Sequence, residues 1–268
     1  MKRLVINGDD FGFTRDVNAG IVHAHREGVL TSTTLMANGD AFEDAVRLAY
    51  ENPGLDVGCH LVLVQGVSLL DGQPLPESPL PLLRALAAGK INVEAELRAQ
   101  IQKIRDVGIT ITHLDAHKHT HIVPSIFRTV VALAQEFQIP YVRLPLDHTT
   151  RLVGGVCQMA GGYYRRFAKG SSVQMTDHFL GFRLTGSLNE DLFAQALHHV
   201  RPGTTEFMCH PGFLNSELRA ARTRLKESRV RELEALTSPR TRQIMAEESI
   251  HLATFGTLGN PAQEFASR

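Results

Sequence analysis

The alternation of short apolar runs with amphipathic segments is the feature that most constrains the fold of this 268-residue chain. Residues 3–7 (RLVIN) and 55–63 (LDVGCHLVL) are rich in branched apolar residues, which is typical of buried strands. Between such runs lie segments with helical periodicity, and the first of them, residues 14–27, ends before Gly28. About eight strands separated in this way require helical crossovers, and crossovers of that kind join parallel strands.

The remaining segments extend this pattern along the chain. The other predicted strands are residues 31–37, 108–116, 139–145, 173–180, 204–210 and 249–255. The other predicted helices are residues 40–50, 93–107, 125–137, 153–168, 189–200 and 238–248. The proline-rich stretch 64–82 is predicted to be a long surface loop, and loops of that length in compact domains are often functional.

Repeated strand–helix units favour a closed barrel over an open sheet. We therefore predict an α/β fold, a (β/α) TIM-like barrel with parallel strands, in which residues 1–268 form a single domain. An open doubly wound sheet is the alternative. Its nucleotide-binding version would carry a GxGxxG sequence after the first strand, and residues 8–13 (GDDFGF) do not match that pattern.

The composition excludes several classes of function. The 28 basic and 28 acidic residues balance, so overall charge gives no reason to expect a nucleic-acid partner. No apolar run approaches the roughly 18 residues of a membrane span, and the amino terminus lacks the apolar region and cleavage site of a signal peptide. Three cysteines, Cys59, Cys157 and Cys209, form no CxxC pair. These features predict a cytoplasmic protein without a disulfide framework.

Polar residues recur where the predicted strands end. Asp9 and Asp10 follow the first strand, and His60 lies near the end of the third. Arg143 ends the fifth, and His210 ends the run TTEFMCH. In a (β/α) barrel the carboxyl ends of the strands form the active site. Taken singly, these residues have ordinary explanations: a turn for the aspartates and His210, a core position for His60, and an ion pair for Arg143.

The densest group of titratable residues is THLDAHKHTH, residues 112–121, which contains four histidines and an aspartate. Several imidazoles close together favour a metal site or a catalytic site. Two imidazoles and one carboxylate supplied by three strand ends would leave open positions on a bound metal for water and substrate. Zn²⁺ suits such ligands, whereas Mg²⁺ usually binds more oxygen atoms. A second carboxylate beside the metal could take a proton from water.

Five segments together resemble the YdjC-like carbohydrate deacetylase family, which includes chitooligosaccharide deacetylases and deacetylases associated with hopanoid biosynthesis. These segments are NGDDFG, TSTTLMANG, VGCHLVL, THLDAHKHTH and EFMCHPGF, and they occur in this order up to Phe213. The resemblance implies a distorted barrel and a hydrolase that uses one divalent metal ion, Zn or Mg, to remove acetyl from an N-acetylated sugar or glycolipid. Because family members are often dimeric, the resemblance also implies a homodimer.

The resemblance assigns roles to individual residues. Asp10 matches the metal-binding aspartate of the family, and His60 and His117 match its metal-binding histidines. Asp9 matches the general base, and His210 lies where a catalytic histidine is expected. In the implied mechanism a bound metal activates water and polarises the acetyl carbonyl. Asp9 takes the water proton, and His210 as an imidazolium protonates the leaving amine.

Four further residues are expected to contact the substrate or to support the ligands: Asp115, His119, His121 and Arg143. Asp115 would orient one of the liganding imidazoles. His119 and His121 would line the substrate cleft, whereas His113 would be structural. Lys118, inside the cluster, departs from many family members and is expected to alter the contacts with substrate.

Two other kinds of function stay open at this point. One metal with an adjacent base and acid would also serve the hydrolysis of a phosphoester or of another amide. The third possibility is a sugar-binding barrel without catalysis, although binding alone requires no base beside a metal. Residues 146–187 resemble no part of the family, so the sequence leaves the identity of the sugar open.

Overall fold

The computed structural model describes residues 1–146 and 154–258, and it describes side chains for all of these except 154–160. Eight strands form one sheet in this part of the chain, and the pairings between them are parallel. Their bounds are β1 Lys2–Phe11, β2 Ser32–Leu35, β3 Asp56–Leu61, β4 His113–Ala116, β5 Tyr141–Val142, β6 His178–Leu180, β7 Gly203–Cys209 and β8 Ile250–Leu252.

Helices connect the strands. Their bounds are α1 Arg15–Arg26, α2 Phe42–Glu51, α3 Pro79–Ala87, α4 Val93–Asp106, α5 Pro124–Glu136, α6 Gly154–Ala168, α7 Glu190–His198, α8 Ser216–Ala220, α9 Glu227–Thr237, α10 Pro239–Glu247 and α11 Phe255–Leu258. Short 3₁₀ segments follow β4 at His117–Ile122 and β6 at Phe182–Leu184. Within the described ranges, no helix is both long enough and apolar enough to cross a bilayer.

Strand β1 lies at the centre of the sheet, whose order is β5-β4-β3-β2-β1-β7-β6. Along one edge β1 pairs with β7 from Lys2 to Gly8, and along the other it pairs with β8 at Lys2–Leu4 and with β2 from Asn7 onward. The two ends of the sheet meet at one parallel bridge between Tyr141 and Gln174. This succession of neighbours confirms the predicted TIM-like barrel, which is distorted because β8 is displaced to the start of β1.

The two faces of β1 explain why the functional residues collect inside the barrel. Leu4 and Ile6 belong to the large apolar core of the protein and are fully buried. Successive side chains of a strand point to opposite faces, so Val5, Asn7 and Asp9 share the other face. The interior of the barrel is therefore apolar at the level of Val5 and becomes polar towards the carboxyl end of the strand.

The structure differs from the prediction in two segments. The proline-rich stretch predicted as a loop contains the start of α3, because Pro79 is compatible with a first helical turn and the following leucines and alanines favour a helix. Residues 211–237 gave no helical prediction, yet they contain α8 and α9. The buried side of α9 includes Arg229 and Glu232, so the apolar periodicity that identifies most helices is weak there. Strands β4, β5 and β6 are also shorter than predicted.

Candidate active site

A cleft of about 690 Å³ opens at the carboxyl ends of the strands. Because the strands are parallel, residues that are distant in sequence meet there. The cleft is lined by Asp9, Asp10, His60, Gln65, His117, Lys118, His119, Phe182, Thr185, His210, Arg222, Thr223, Arg224 and Leu225. The two aspartates and three of the histidines for which the resemblance implies metal or catalytic roles therefore share one cavity.

A bend in β1 lets two adjacent aspartates face this cleft. On a regular strand the side chains of Asp9 and Asp10 would point to opposite faces. The register of β1 against β2 shifts between Gly8 and Phe11, and Asp10 has a φ of 72°. This left-handed conformation is uncommon for a residue other than glycine, although aspartate adopts it more readily than most. The turn therefore lies at Asp10 itself rather than at the more permissive Gly8.

Three ligand atoms converge beside this bend. Asp10 Oδ1 is 3.3 Å from His60 Nε2 and 3.1 Å from His117 Nδ1, and the two nitrogen atoms are 3.3 Å apart. Ligand atoms about 2.0–2.2 Å from a tetrahedral or octahedral metal lie about 3.0–3.5 Å from one another. The three side chains therefore have the spacing of one face of a metal site, and these residues fit a divalent ion.

Hydrogen bonds orient both imidazoles towards that point. Asp115 Oδ1 lies 2.7 Å from His60 Nδ1, and Gln65 Oε1 lies 3.3 Å from His117 Nε2. Each oxygen accepts a hydrogen bond from the outer nitrogen of its imidazole, which directs the inner nitrogen towards Asp10 and would leave it able to bind a metal once it has lost its proton. Asp115 is itself held by Thr34, whose Oγ1 donates to Asp115 Oδ2 at 3.1 Å.

Arg143 holds Asp9 in place from beneath the cleft. Its guanidinium donates to both oxygens of Asp9 at 2.7 Å, and it also contacts Asp115 Oδ2 at 2.7 Å and Glu206 Oε1 at 2.6 Å. Burial opposes ionisation of Asp9, but Arg143 outweighs it and holds the pKa of Asp9 well below its usual range. Burial raises the pKa of Glu206 to about 7 in spite of the same guanidinium. Arg143 is thus a buried ion-pair partner of the site.

Helix α9 supplies a second guanidinium and a further carboxylate. Arg229 donates to Asp10 Oδ2 at 2.5 Å, which occupies that oxygen and leaves Oδ1 for the histidines. Burial opposes ionisation of Asp10 as well, but Arg229 and the two histidines hold its pKa well below the usual range. Glu232 Oε2 accepts the backbone N–H of His210 at 2.6 Å and lies 3.9 Å from His210 Nδ1. Burial raises the pKa of Glu232 to about 7 and lowers that of His210 to about 4.

Buried carboxyl groups outnumber buried guanidinium groups at the site. Seven charged side chains are each at most 3% exposed: the carboxylates of Asp9, Asp10, Asp115, Glu206 and Glu232, and the guanidinium groups of Arg143 and Arg229. An excess of negative charge in a buried region is costly unless protons or a cation offset it. Burial lowers the pKa of His60, but Asp115 and Asp10 outweigh burial and raise it to about 10. A divalent metal would replace the proton that His60 otherwise carries.

Two histidines of the cluster line the cleft. His117 contributes Nδ1 to the converging ligand atoms, and His119 packs against Phe182 with ring centroids 5.0 Å apart. Lys118 and His119 have φ values of 51° and 52°, so the chain makes a left-handed turn directly after His117. Such strained backbone often accompanies functional sites. Lys118 is exposed at the edge of the cleft.

The other two histidines of the cluster lie beneath the cleft. His121 is fully buried, and its Nε2 donates to the backbone oxygen of Arg143 at 3.0 Å, so it supports the position of Arg143. The sequence predicts that it lines the substrate cleft, and it does not. Burial lowers the pKa of His121 to about 3. His113 is also buried, with Nε2 2.9 Å from Asn7 Oδ1 and its ring stacked on Phe255.

The segment after β3 reaches the cleft at its first residue. Gln65 lines the cleft, and the remainder of the predicted loop does not. Glu96 of α4 fixes the base of this segment, because its two oxygens accept from Ser68 Oγ at 2.7 Å and from the Leu69 backbone at 3.1 Å. Residues 65–82 directly follow the strand that carries His60, so the sequence predicts that they lie over the metal site and contact substrate, but Gln65 alone among them lines the cleft.

Four side chains that shape the site are not among the residues predicted from the sequence: Gln65, Glu206, Arg229 and Glu232. Glu206 gives a usable signal, because a carboxylate inside the apolar run TTEFMCH is unusual for a buried strand. Arg229 and Glu232 are spaced for one face of a helix, but the helix itself is not evident from apolar periodicity. Gln65 offers no signal beyond its position after the strand that carries His60.

Comparison with known proteins agrees with this architecture. A family model described as YdjC-like protein matches residues 3–247. Carbohydrate deacetylases from Brevibacillus brevis and Geobacillus stearothermophilus are 35% and 34% identical, in alignments that cover 96% and 94% of this chain and 100% and 96% of theirs. A chitooligosaccharide deacetylase from Enterobacter sp. is 32% identical over 95% of this chain and 98% of its own.

A solved structure shows the same overall fold. A protein from Enterococcus faecalis V583, named for cellobiose-phosphate cleavage, superimposes with a TM-score of 0.79 at 27% identity and covers 96% of this chain and 98% of its own. The family match spans more than nine-tenths of the sequence, and it includes every residue that forms the converging ligand atoms. The chain therefore belongs to the YdjC-like protein family.

Proposed function

We propose that the protein is a metal-dependent hydrolase that removes the acetyl group from an N-acetylated sugar. The observation that carries this proposal is the position of an ionised carboxylate, Asp9, beside three converging ligand atoms in an open cleft. A barrel that only binds sugar has no use for that carboxylate. The relatives named carbohydrate deacetylases, at 35% and 34% identity, align over nearly the whole chain and support the same reaction.

Asp10, His60 and His117 would hold the metal. Two nitrogen atoms and one oxygen atom favour Zn²⁺ over Mg²⁺, which prefers more oxygen ligands. When bound, the ion would polarise the acetyl carbonyl and increase the acidity of an attacking water. Arg229 prevents Asp10 Oδ2 from binding as a second ligand atom, so Asp10 would coordinate through Oδ1 alone. This arrangement keeps positions open for water and the acetyl oxygen.

Asp9 is the proposed acceptor of the water proton. Its two oxygens are fixed by Arg143, so the carboxylate does not have to be oriented during the reaction. Its low pKa makes it a weak base, but it also keeps Asp9 ionised throughout the neutral and mildly acidic range. The water therefore has to become more acidic before Asp9 can deprotonate it, which is the contribution expected of a metal in this site.

His210 is the proposed donor of a proton to the departing sugar nitrogen. Burial lowers its pKa to about 4, so the ring is neutral at pH 7 in the free protein, in contrast to the imidazolium implied by the family resemblance. We therefore propose that the proton that Asp9 takes from the water passes to His210, which then gives it to the departing sugar nitrogen. Glu232 lies 3.9 Å from His210 Nδ1 and would stabilise the protonated ring.

The cleft walls suit a sugar. Phe182 is 48% exposed and lines the cleft, so its ring face is free to pack against the apolar face of a sugar ring. His119 supports that ring from the side. Gln65, Lys118 and Thr185 add polar groups that can bond to sugar hydroxyls. The volume of the cleft lies in the range of about 300–1,000 Å³ that is common for small-molecule sites.

We also propose that the protein acts in the cytoplasm. The thiols of Cys59 and Cys209 are free and buried, and burial raises the pKa of each, so neither is poised to form a disulfide. This supports a cytoplasmic location. The homodimer implied by the family resemblance is testable by light scattering of the purified protein.

Acetate release tests the proposed reaction. The purified protein is depleted of metal with a chelator, restored with Zn²⁺ or Mg²⁺, and incubated with N-acetylglucosamine, its oligomers and N-acetylated glycolipids. We expect acetate and a free amino sugar only after metal is restored. Phosphate release from phosphoesters, with no acetate from any sugar, would instead indicate a phosphoesterase. Sugar binding without turnover in every metal-restored sample would indicate a binding protein.

A further inference from the structure

Helix α3 is apolar, yet little of it is packed against the rest of the protein. Of its nine residues, PLPLLRALA, only Leu82 is buried. Leu80 is 59% exposed and Leu83 is 44% exposed. Side chains three positions apart lie on the same face of a helix, so these two leucines form an apolar surface that the described residues leave open to solvent.

This surface lies beside the mouth of the cleft. Helix α3 begins two residues after Glu77, and the carboxylate of Glu77 is 3.7 Å from Arg222, which lines the cleft. The turn that precedes it carries two more exposed apolar residues, Val67 at 46% and Leu70 at 52%. Exposed large apolar side chains therefore concentrate on the segment that leads from the cleft into α3.

The connections on this face carry more basic than acidic residues, in a protein whose overall charge is balanced. The described connections that follow the strands on this face are residues 12–14, 36–41, 62–92, 117–123, 181–188 and 210–226. They contain eight lysine and arginine residues against four aspartate and glutamate residues. From residue 78 to residue 93, a stretch that includes the whole of α3, the chain contains Arg84 and Lys90 and no acidic residue. The apolar surface is thus bordered by basic side chains.

We propose that this face docks on an anionic lipid bilayer, with Leu80 and Leu83 of α3 entering the interface and Arg84 and Lys90 contacting headgroups. A short helix with leucines on one side and basic residues beside them has the composition of an interfacial helix. Basic residues near a negatively charged membrane surface add to the attraction. The helix lies on the membrane in this arrangement and does not span it.

Other occupants fit the surface less well. A second copy of the chain that paired through the same stretch would cover Leu80 and Leu83 but would offer no acidic residue to Arg84 and Lys90, because residues 78–93 contain none. A nucleic acid would use the basic residues but would leave Leu80 and Leu83 exposed. An anionic bilayer satisfies both the charge and the apolar surface.

Docking in this orientation would bring the cleft to the membrane surface. A sugar linked to a lipid could then enter the cleft while its lipid part stays in the bilayer. This consequence rests on the proposed function, whereas the docking itself does not. The two can therefore be tested separately.

Vesicle flotation tests the docking surface. The full chain is mixed with phosphatidylcholine vesicles, or with vesicles that also contain phosphatidylglycerol, and the bound fraction is measured at low and high salt. We expect binding to the phosphatidylglycerol vesicles, weakened by salt, and little binding to phosphatidylcholine alone. The double variant Leu80→Ser/Leu83→Ser should bind at least about tenfold more weakly. The pair Arg84→Glu/Lys90→Glu should lose the preference for phosphatidylglycerol.

A matched control and an activity assay complete the design. Leu252→Ser changes a leucine of similar exposure, 43%, on β8 near the start of β1, and it should bind vesicles like the wild type. Acetate release from a water-soluble N-acetylated sugar should be unchanged in all these variants. Vesicle binding by a protein that releases no acetate from any substrate would reject the proposed reaction and leave the docking surface in place.

Three outcomes would overturn the docking proposal. One is a wild-type protein that does not float with anionic vesicles. Another is a leucine variant that still binds anionic vesicles as well as the wild type does. If the charge variant also stops binding oligonucleotides, the face is a general surface for polyanions rather than a docking surface for a bilayer. The third is a dimer that dissociates in the leucine variant without any vesicle binding, which would assign the face to contact between copies.

Discussion

Asp9 and Asp10 are neighbours in sequence, yet different partners hold them. Both oxygens of Asp9 are bound by Arg143, whereas Asp10 is divided between Arg229 on Oδ2 and the two histidines on Oδ1. The positive φ of Asp10 is what separates the two side chains into these environments. One carboxylate is therefore placed to accept a proton and the other to bind a metal, and substitutions of the two should have different effects.

Asp9→Asn should lower turnover without releasing metal. The amide keeps the size of the carboxylate but cannot accept the proton of the attacking water. We expect kcat to fall by roughly 10²–10⁴ while KM and metal content change little. Asp10→Ala removes a ligand, so metal affinity and turnover should fall together. Metal analysis and steady-state acetate release distinguish the two variants. If Asp9→Asn lost its metal and Asp10→Ala kept it, Asp9 would be the ligand and Asp10 the base.

Glu232 should make stability depend on pH. A carboxyl group whose pKa is higher in the folded than in the unfolded state stabilises the fold fully below about pH 4.3, its unfolded pKa. That stabilisation is lost as pH rises through the folded pKa of about 7. Glu232→Gln removes this titration. The free energy of unfolding of the wild type, relative to the variant, should therefore fall by roughly 1–3 kcal/mol between about pH 5 and pH 8.

Urea unfolding at the two pH values measures this difference. Glu227→Gln, at the exposed first residue of the same helix, is the control and should follow the wild type at both pH values. A parallel pH dependence of the wild type and Glu232→Gln would mean that burial does not perturb this carboxyl group.

At the scale of secondary-structure elements, the sequence predicts site residues that lie at the ends of strands better than site residues that lie on helices. Asp9, His60 and His210 lie at ends of apolar runs, and a parallel barrel brings such ends together whatever the exact boundaries are. Helix α9 is different, because its buried face is partly charged and resembles a solvated surface in a periodicity analysis. The bend at Asp10 has only a weak local signal, because aspartate is a common turn residue that adopts a left-handed φ more readily than most.

Helix α4 should control the segment after β3 through one carboxylate. Glu96 is buried and binds Ser68 and the backbone of Leu69, so Glu96→Ala removes the anchor of the segment that begins with Gln65. We expect a loss of about 1–3 kcal/mol of stability and a higher KM, with metal still bound. Faster proteolysis between residues 65 and 78 should accompany these changes.

Glu94→Ala is the matched control for this prediction. Glu94 is an exposed carboxylate on the same helix and pairs with Arg98, so its loss should leave stability, KM and proteolysis close to the wild type. An unchanged KM and unchanged proteolysis in Glu96→Ala would show that the anchor does not position Gln65.

At the scale of the whole molecule, the barrel gathers more buried carboxyl groups than buried guanidinium groups, and protons on Glu206, Glu232 and His60 or a bound cation would offset the difference. Five buried carboxylates face two buried guanidinium groups at the carboxyl end of the sheet: Asp9, Asp10, Asp115, Glu206 and Glu232 against Arg143 and Arg229. Such a cluster is stable only with bound protons or a cation. Metal binding and the stability of the barrel should therefore be linked.

Zn²⁺ should raise the melting temperature of the wild type. A ligand that binds only the folded state at about 100 times its Kd adds about 2.7 kcal/mol, or roughly 5 °C for a protein of this size. His60→Ala should fold but show little of this increase, because a ligand atom is missing. His251→Ala, an exposed histidine distant from the cleft on β8, should respond like the wild type. Equal shifts in all three proteins would indicate binding elsewhere.

Anomalous X-ray scattering at the zinc edge, from a crystal grown with Zn²⁺, tests the central claim most directly. Two groups of side chains in the described residues could hold an ion, one formed by Asp10, His60 and His117 and the other by Asp9, His60 and Asp115. We predict a single strong peak about 2.0–2.2 Å from Asp10 Oδ1, His60 Nε2 and His117 Nδ1, with Asp9 unbound beside it. A peak among Asp9, His60 and Asp115, or no peak in the cleft of an active protein, would contradict the assignment of ligand and base.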